Sequence, residues 1–274
     1  MRIVVSVDME GLTGICCREH VTPGDPLYAE GCDLMVGDIN AVVQGLVDAK
    51  ADDIVVWDSH YRSFNVPLAP LHPAARCLRG SPANGLRWPL ADEHVNGVIL
   101  LGYHAMAGTR HAVLEHTMSS GSWFRLKVNG RAIGEIGYHG ALAGEWGVAV
   151  IMVSGDDKAC AEARDFLGAD LTTVCVKQGV ARHGAILLPP AQTREMLRQG
   201  VRQAVGRLGR VKPFHFRKPA VVELAFKHTE HVDQADLRPF KGRRIDGYTV
   251  QWTAPSFAAW HGFTTRHLPP VKRG

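Results

Sequence analysis

The stretch SVDMEG at residues 6–11 sets two carboxylates, Asp8 and Glu10, at the end of an apolar run from Ile3 to Val7. Side chains two apart on a strand share a face. If the strand continues to Glu10, the carboxylates sit side by side, and one must bind a proton unless a cation lies between them. If it stops at Val7, Asp8 caps a turn and Glu10 is solvated. Two more apolar runs end in histidine: Ile54 to Trp57 runs into Asp58, Ser59 and His60, and Gly97 to Gly102 runs into Tyr103 and His104. Taken singly, each histidine reads as a turn or packed loop residue. Taken together, carboxylates beyond one strand and lone histidines beyond two others supply oxygen and nitrogen ligands suited to zinc, with no thiolate needed. Glu135 reads by itself as a helix-start acid favoured by the dipole.

These residues need a scaffold that brings strand ends together. Unpatterned apolar strands at 2–8, 54–57, 97–102 and 148–153 alternate with helical patterns at 29–50 and 157–167. In the first helix Met35, Ile39, Val42, Val43 and Leu46 keep helical spacing. The alternation predicts an α/β fold: a mostly parallel, Rossmann-like sheet with flanking helices. Open parallel sheets build their sites outside the carboxyl ends of the strands, where these residues fall. Asn129-Gly130 predicts a β-hairpin from 123–128 and 131–135, projecting from the sheet. Asp156 and Asp157 read as an N-cap and a first-turn acid.

After about residue 170 the pattern changes to strands at 171–177, 219–226 and 244–252, with helices at 191–208, 230–237 and 255–263. This predicts a smaller α+β domain at 189–274, joined near LLPPAQ (187–192) to a metal-binding α/β catalytic domain at 1–188.

The chain has 274 residues, 46% of them hydrophobic, and a net charge of +4, enough for a substantial core and only mildly basic. No basic stripe carries interleaved aromatics, so nucleic acid is not an expected partner. No apolar run reaches membrane-spanning length, and the first residues read as a strand rather than a signal peptide. The six cysteines show no zinc-ribbon spacing and read as free thiols in a reducing cytoplasm, Cys16-Cys17 included. His228 and His231 in HTEH read as a surface pair.

SVDMEG (6–11), DSH (58–60), LGYHA (101–105), EHTM (115–118) and NGRAIGEIG (129–137), in this order and spacing, resemble the M55 family of metallo-aminopeptidases. The resemblance runs from the first residue through VSGDD at 153–157 and more loosely through VKQ at 176–178 into the C-terminal third. It implies two zinc ions per chain, with Asp8, Glu10, His60, His104 and Glu135 as ligands and Asp8 bridging. It implies His116 as the catalytic histidine; His111 is a competitor in the same loop. Three carboxylates against two Zn²⁺ leave 4 − 3 = +1, which makes hydroxide available near neutral pH and polarises a scissile carbonyl. His116 then has a proton-transfer or oxyanion-stabilising role. The implied activity is removal of the N-terminal residue of short peptides, D-residues among them, in a ring-like homodecamer. Two other readings stand beside it: another two-metal hydrolase, either a phosphoesterase with Arg110 and Arg125 as the candidate cations for phosphate or an amidase, and a non-enzymatic metal-stabilised peptide-binding protein. Carboxylate-rich, cysteine-free ligands speak against a structural zinc site.

Overall fold

The computed structural model describes residues 1–80 and 94–267. In chain order the elements are β1 (Arg2–Val7), α1 (Tyr28–Asp48), β2 (Asp53–Asp58), β3 (Ala75–Leu78), β4 (Gly97–Leu101), β5 (Trp123–Val128), β6 (Arg131–Ile133), α2 (Glu135–Glu145), β7 (Val150–Asp156) and α3 (Asp157–Leu167). They continue with β8 (Thr172–Ala181), β9 (Gly184–Leu187), α4 (Pro190–Val205), β10 (Ala220–Phe226), α5 (Thr229–Asp233), β11 (Arg243–Arg244), β12 (Thr249–Ala254) and α6 (Phe257–His267).

Seven strands form one sheet in the order β3-β2-β1-β4-β7-β8-β9. All neighbours in it are parallel except β8 and β9. Strand β1 is buried at every position but the first, because both faces are covered. On one face Ile3, Val5 and Val7 pack with Met35, Ile39 and Val42 of α1 and Leu197 and Val201 of α4. On the other, Val4 and Leu100 pack with Ile136 of α2, Ala163 and Phe166 of α3, and the inner side of a second sheet. The fold is thus the expected mostly parallel α/β sheet, joined by a separate antiparallel sheet.

That second sheet runs β11-β12-β10-β5-β6. The Asn129-Gly130 hairpin forms as predicted, with positive φ at both residues. It does not project, however: β5 pairs with β10 from residue 222 onward, so the hairpin is part of the second sheet. Two elements cross the division expected at 188/189. The hairpin joins the later strands, and α4 packs across α1 onto the first sheet. The strand expected at 244–252 is split by a turn: the Asp246 carboxylate accepts from the N–H groups of Tyr248 and Thr249, folding β11 back on β12. All six cysteines are free.

Candidate metal centre

Strand β1 lies between β2 and β4, so the chain segments after three adjacent strands meet at one edge of the sheet. They bring Asp8 and Glu10, His60, and His104. The expected strand from 2 to 8 ends at Val7, and Asp8 and Glu10 enter a tight turn pressed against the end of β4. The Gly11 N–H donates to the Gly102 carbonyl at 2.8 Å. A Cβ at Gly11 would stand 2.0 Å from the Tyr103 carbonyl oxygen, so only glycine lets the turn come this close. Glu135 arrives as the first residue of α2, and His116 from the long loop between β4 and β5.

Asp8, Glu10, His60, His104 and Glu135 are all at most 8% exposed, and they converge. Asp8 turns one carboxylate oxygen to each side. Its Oδ1 lies 2.9 Å from His60 Nδ1, and its Oδ2 lies 3.4 Å from His104 Nε2. Glu10 Oε2 is 3.3 Å from His60 Nδ1, and Glu135 Oε1 is 3.3 Å from His104 Nε2. His116 stacks on His104, ring centroids 4.0 Å apart, with its Nε2 3.5 Å from Glu135 Oε1. His104, His116 and Glu135, and likewise Asp8, Glu10 and His104, offer donor atoms within 4.8 Å of one another.

Each of these three histidines gives one ring nitrogen to a backbone carbonyl. His60 Nε2 donates to Val21 O, His104 Nδ1 to Ala105 O and His116 Nδ1 to Leu114 O, at 2.8, 3.0 and 2.9 Å. A carbonyl only accepts, so one proton is fixed on that nitrogen and the other ring nitrogen faces the carboxylates, where it can carry a second proton or bind a metal. Two buried donor atoms, Glu10 Oε2 and His104 Nε2, have no hydrogen-bond partner. Buried polar atoms are rarely left so, and three buried carboxylates facing imidazole nitrogens are a donor set that fits zinc.

Protons occupy the place of the metal charge in the chain by itself. Burial alone would lower His60 and His104, but the charges of Glu10 and Glu135 and the Asp8 carboxylate between the two rings raise both well above the usual histidine range. Burial alone would raise Asp8, but His104 and His60 on either side hold it well below the usual carboxylate range. Glu135, opposed by burial in the same way, is lowered by His104 and His116.

Several residues that support the site were not assigned to it in the sequence reading. The buried Asp58 carboxylate accepts from the N–H groups of Asn65 and Val66 and from the Asn65 amide, which in turn donates to the His60 carbonyl. It shapes the turn that carries His60; the carboxylate two residues before His60 in DSH was its only sequence signal. Asp156 caps α3 as expected, accepting from Lys158 and Ala159, and its other oxygen accepts from the Val113 N–H at 2.8 Å, which anchors the His116 loop. Behind the site, Tyr103, Ser6 and His139 form a buried hydrogen-bonded chain. His111 instead donates to the Val180 carbonyl from an exposed position. His228 is the N-cap of α5 and His231 lies within it, and neither joins a metal-type cluster among the described residues.

Buried histidines and carboxylates at the carboxyl edge of a parallel α/β sheet define a metallohydrolase. The chain belongs to the M55 peptidase family: the family model described as D-aminopeptidase matches residues 1–265. It is 31% identical over 259 residues to a D-aminopeptidase of Bacillus subtilis (strain 168), covering 93% of this chain and 92% of that one. It also matches the solved structure of the Zn-dependent D-aminopeptidase DppA from Bacillus subtilis, a self-compartmentalizing protease, with TM-score 0.89 and 29% identity over 98% of this chain and 97% of that one.

Proposed function

We propose that this chain is a zinc-dependent aminopeptidase that removes the N-terminal residue of short peptides, D-residues in particular. The observation that carries the reading is the orientation of three histidines, each tied by one nitrogen to a backbone carbonyl and turning the other to buried carboxylates. The family and the D-aminopeptidase relatives support the same reaction.

In this reading two zinc ions are held per chain. Asp8, Glu10, His60, His104 and Glu135 would hold them, and Asp8, whose two oxygens face opposite histidines, would be shared between them. Bound zinc supplies Lewis acidity at the scissile carbonyl and lowers the pKa of water. The protein's own contribution is orientation and proton transfer. The Val21, Ala105 and Leu114 carbonyls fix the ring tautomers. Depth in the sheet edge excludes bulk water, which strengthens each charge interaction. His116, the least buried of the three with its side chain 16% exposed, takes a proton at Nε2 and returns it to the leaving amine, or stabilises charge developing on the carbonyl oxygen.

The relative's description as self-compartmentalizing favours a homo-oligomer, for which a closed decamer is the proposed form, working in the cytoplasm. Among the described residues no helix is long and apolar enough to cross a membrane. The catalytic unit is proposed to centre on residues 1–188, with 189–274 shaping access. The deciding experiment is zinc content by elemental analysis together with hydrolysis of matched D- and L-aminoacyl amides and dipeptides. Two zinc ions per chain and preference for the D-series are expected. A zinc-loaded chain inactive on both series refutes the activity.

A further inference from the structure

Strand β8 buries a lysine, Lys177, at 2% exposure. All three of its ammonium hydrogen bonds go to backbone carbonyls, those of Glu10, Leu12 and Ile15, at 2.6, 2.8 and 2.6 Å. A buried ammonium is costly unless fully hydrogen-bonded, and none of these three partners is a charged group. The partners are more than 160 residues away in sequence, and all lie in the turn that follows β1.

That turn has no regular structure of its own. It doubles back within six residues, and three of its carbonyls converge on one point. Converging carbonyls set the negative ends of three dipoles together, an arrangement that needs a cation at its centre. The turn is gripped from other sides as well: the Gly11 N–H by Gly102, the Thr13 N–H by the Asp38 carboxylate at 2.9 Å, and the Thr13 hydroxyl by Thr193 at 2.8 Å. None of these holds residue 10 itself. The bond from Lys177 to the Glu10 carbonyl does.

We propose that Lys177 is a positioning residue for the metal centre: a built-in cation that gathers the 10–15 turn and sets the Glu10 carboxylate against His60. This rests on the metal reading proposed above. The side chain touches neither substrate nor the reacting atoms. It acts through the backbone of a ligand, as hydrogen-bonded outer partners act on metal ligands. The ammonium stands where a monovalent cation would stand in a carbonyl cage, but it is tethered to β8 and needs no uptake from solution.

The test compares Lys177→Ala and Lys177→Gln with the wild-type chain, each loaded with zinc. Lys177→Gln keeps two N–H donors for the cage without the charge. Three quantities are read: zinc retention against a competing chelator, hydrogen exchange of the backbone amides of residues 11–16, and rescue of both by n-propylammonium, which restores the atoms that Lys177→Ala removes. Zinc affinity is expected to fall by about 10–100-fold, the usual effect of losing such a partner. Amide exchange in the turn should speed up in parallel. Propylammonium should reverse both effects in Lys177→Ala, and tert-butylammonium, too bulky for the vacated channel, should not. In kinetics at saturating zinc, kcat should recover more than apparent zinc affinity. Wild-type zinc retention with unchanged exchange in both variants overturns the proposal. So does failure of both to fold at any propylammonium concentration, since the side chain would then serve the core as a whole. If the wild-type chain itself binds no zinc, the metal reading fails, and the exchange and rescue measurements judge Lys177 alone.

Discussion

His116→Ala separates the reacting group from the groups that hold metal. The structure allows its cost in stability to be worked out. Alanine removes the stack on His104 at 4.0 Å and the bond from Nδ1 to the Leu114 carbonyl at 2.9 Å. A ring pair contributes about 0.5–1.5 kcal/mol and a hydrogen bond about 1 kcal/mol, so the loss is about 2 kcal/mol. That corresponds to a fall of roughly 4–8 °C in Tm, too little to unfold a domain of ordinary stability. Turnover should fall far more. A positioned acid–base or oxyanion group is worth about 10²–10⁴, or roughly 2.7–5.5 kcal/mol of barrier. Zinc content should stay at the wild-type level and KM should change little, because Asp8, Glu10, His60, His104 and Glu135 are all retained. Single-turnover rates on a D-aminoacyl amide, elemental analysis and a thermal melt on the same preparation make the measurement. Loss of one zinc ion would refute the assignment and make His116 a ligand; its Nε2, 3.5 Å from Glu135 Oε1, is near enough for that outcome to be a real test. His111→Ala, at an exposed residue bonded to Val180, should leave activity within about two-fold of wild type, as surface substitutions away from such features do.

Three further outcomes are expected. Asp8→Asn replaces the shared carboxylate with a neutral amide; one unit charge at a few ångströms is worth about 4 kcal/mol at an effective dielectric of 20, so affinity should fall by roughly 10³ or more; a variant that retains two zinc ions in dialysis against chelator refutes the bridging role. In the metal-free chain, raised His60 and His104 contribute stability that is fully present below about pH 6.5 and lost as pH rises through their folded values, while lowered Asp8 and Glu135 contribute stability that is lost as pH falls below about 4.5. Zinc must displace those histidine protons, so the Tm gap between zinc-loaded and chelator-treated protein should widen from pH 6 to pH 8; a constant gap contradicts the proton balance. Burial raises the Glu162 carboxyl to about 7, so the folded chain holds a proton there that the unfolded chain has released, and its contribution to stability falls between about pH 4.5 and 7. Glu162→Gln, able to keep the bond from the Met106 N–H, should flatten that decline in urea melts and exceed wild type at pH 8.

The sequence by itself determined the class of fold and the chemistry on offer. Strands buried on both faces must be apolar throughout and helices packed on a sheet must be apolar on one side, so β1, β2, β4, β7 and α1 could be read from local pattern. The hairpin at Asn129-Gly130 was legible because its turn demands positive φ at two adjacent residues. Asp8, Glu10, His60 and His104 stood out because ionisable side chains after buried strands need a reason, and they do converge, with Glu135 and His116 beside them. What the sequence could not carry is what depends on pairing between distant segments. Nothing local says that β5 pairs with β10 rather than projecting, or that α4 crosses back onto the first sheet, because both follow from which apolar faces remain uncovered once the sheets have formed. The tautomers of the three histidines are set by carbonyls of irregular loops, and backbone carbonyls are common to every sequence. Lys177 shows the same division. In the sequence it stands only as the middle of VKQ, with no role attached, and its role exists only because a turn more than 160 residues away leaves three carbonyls pointing at it.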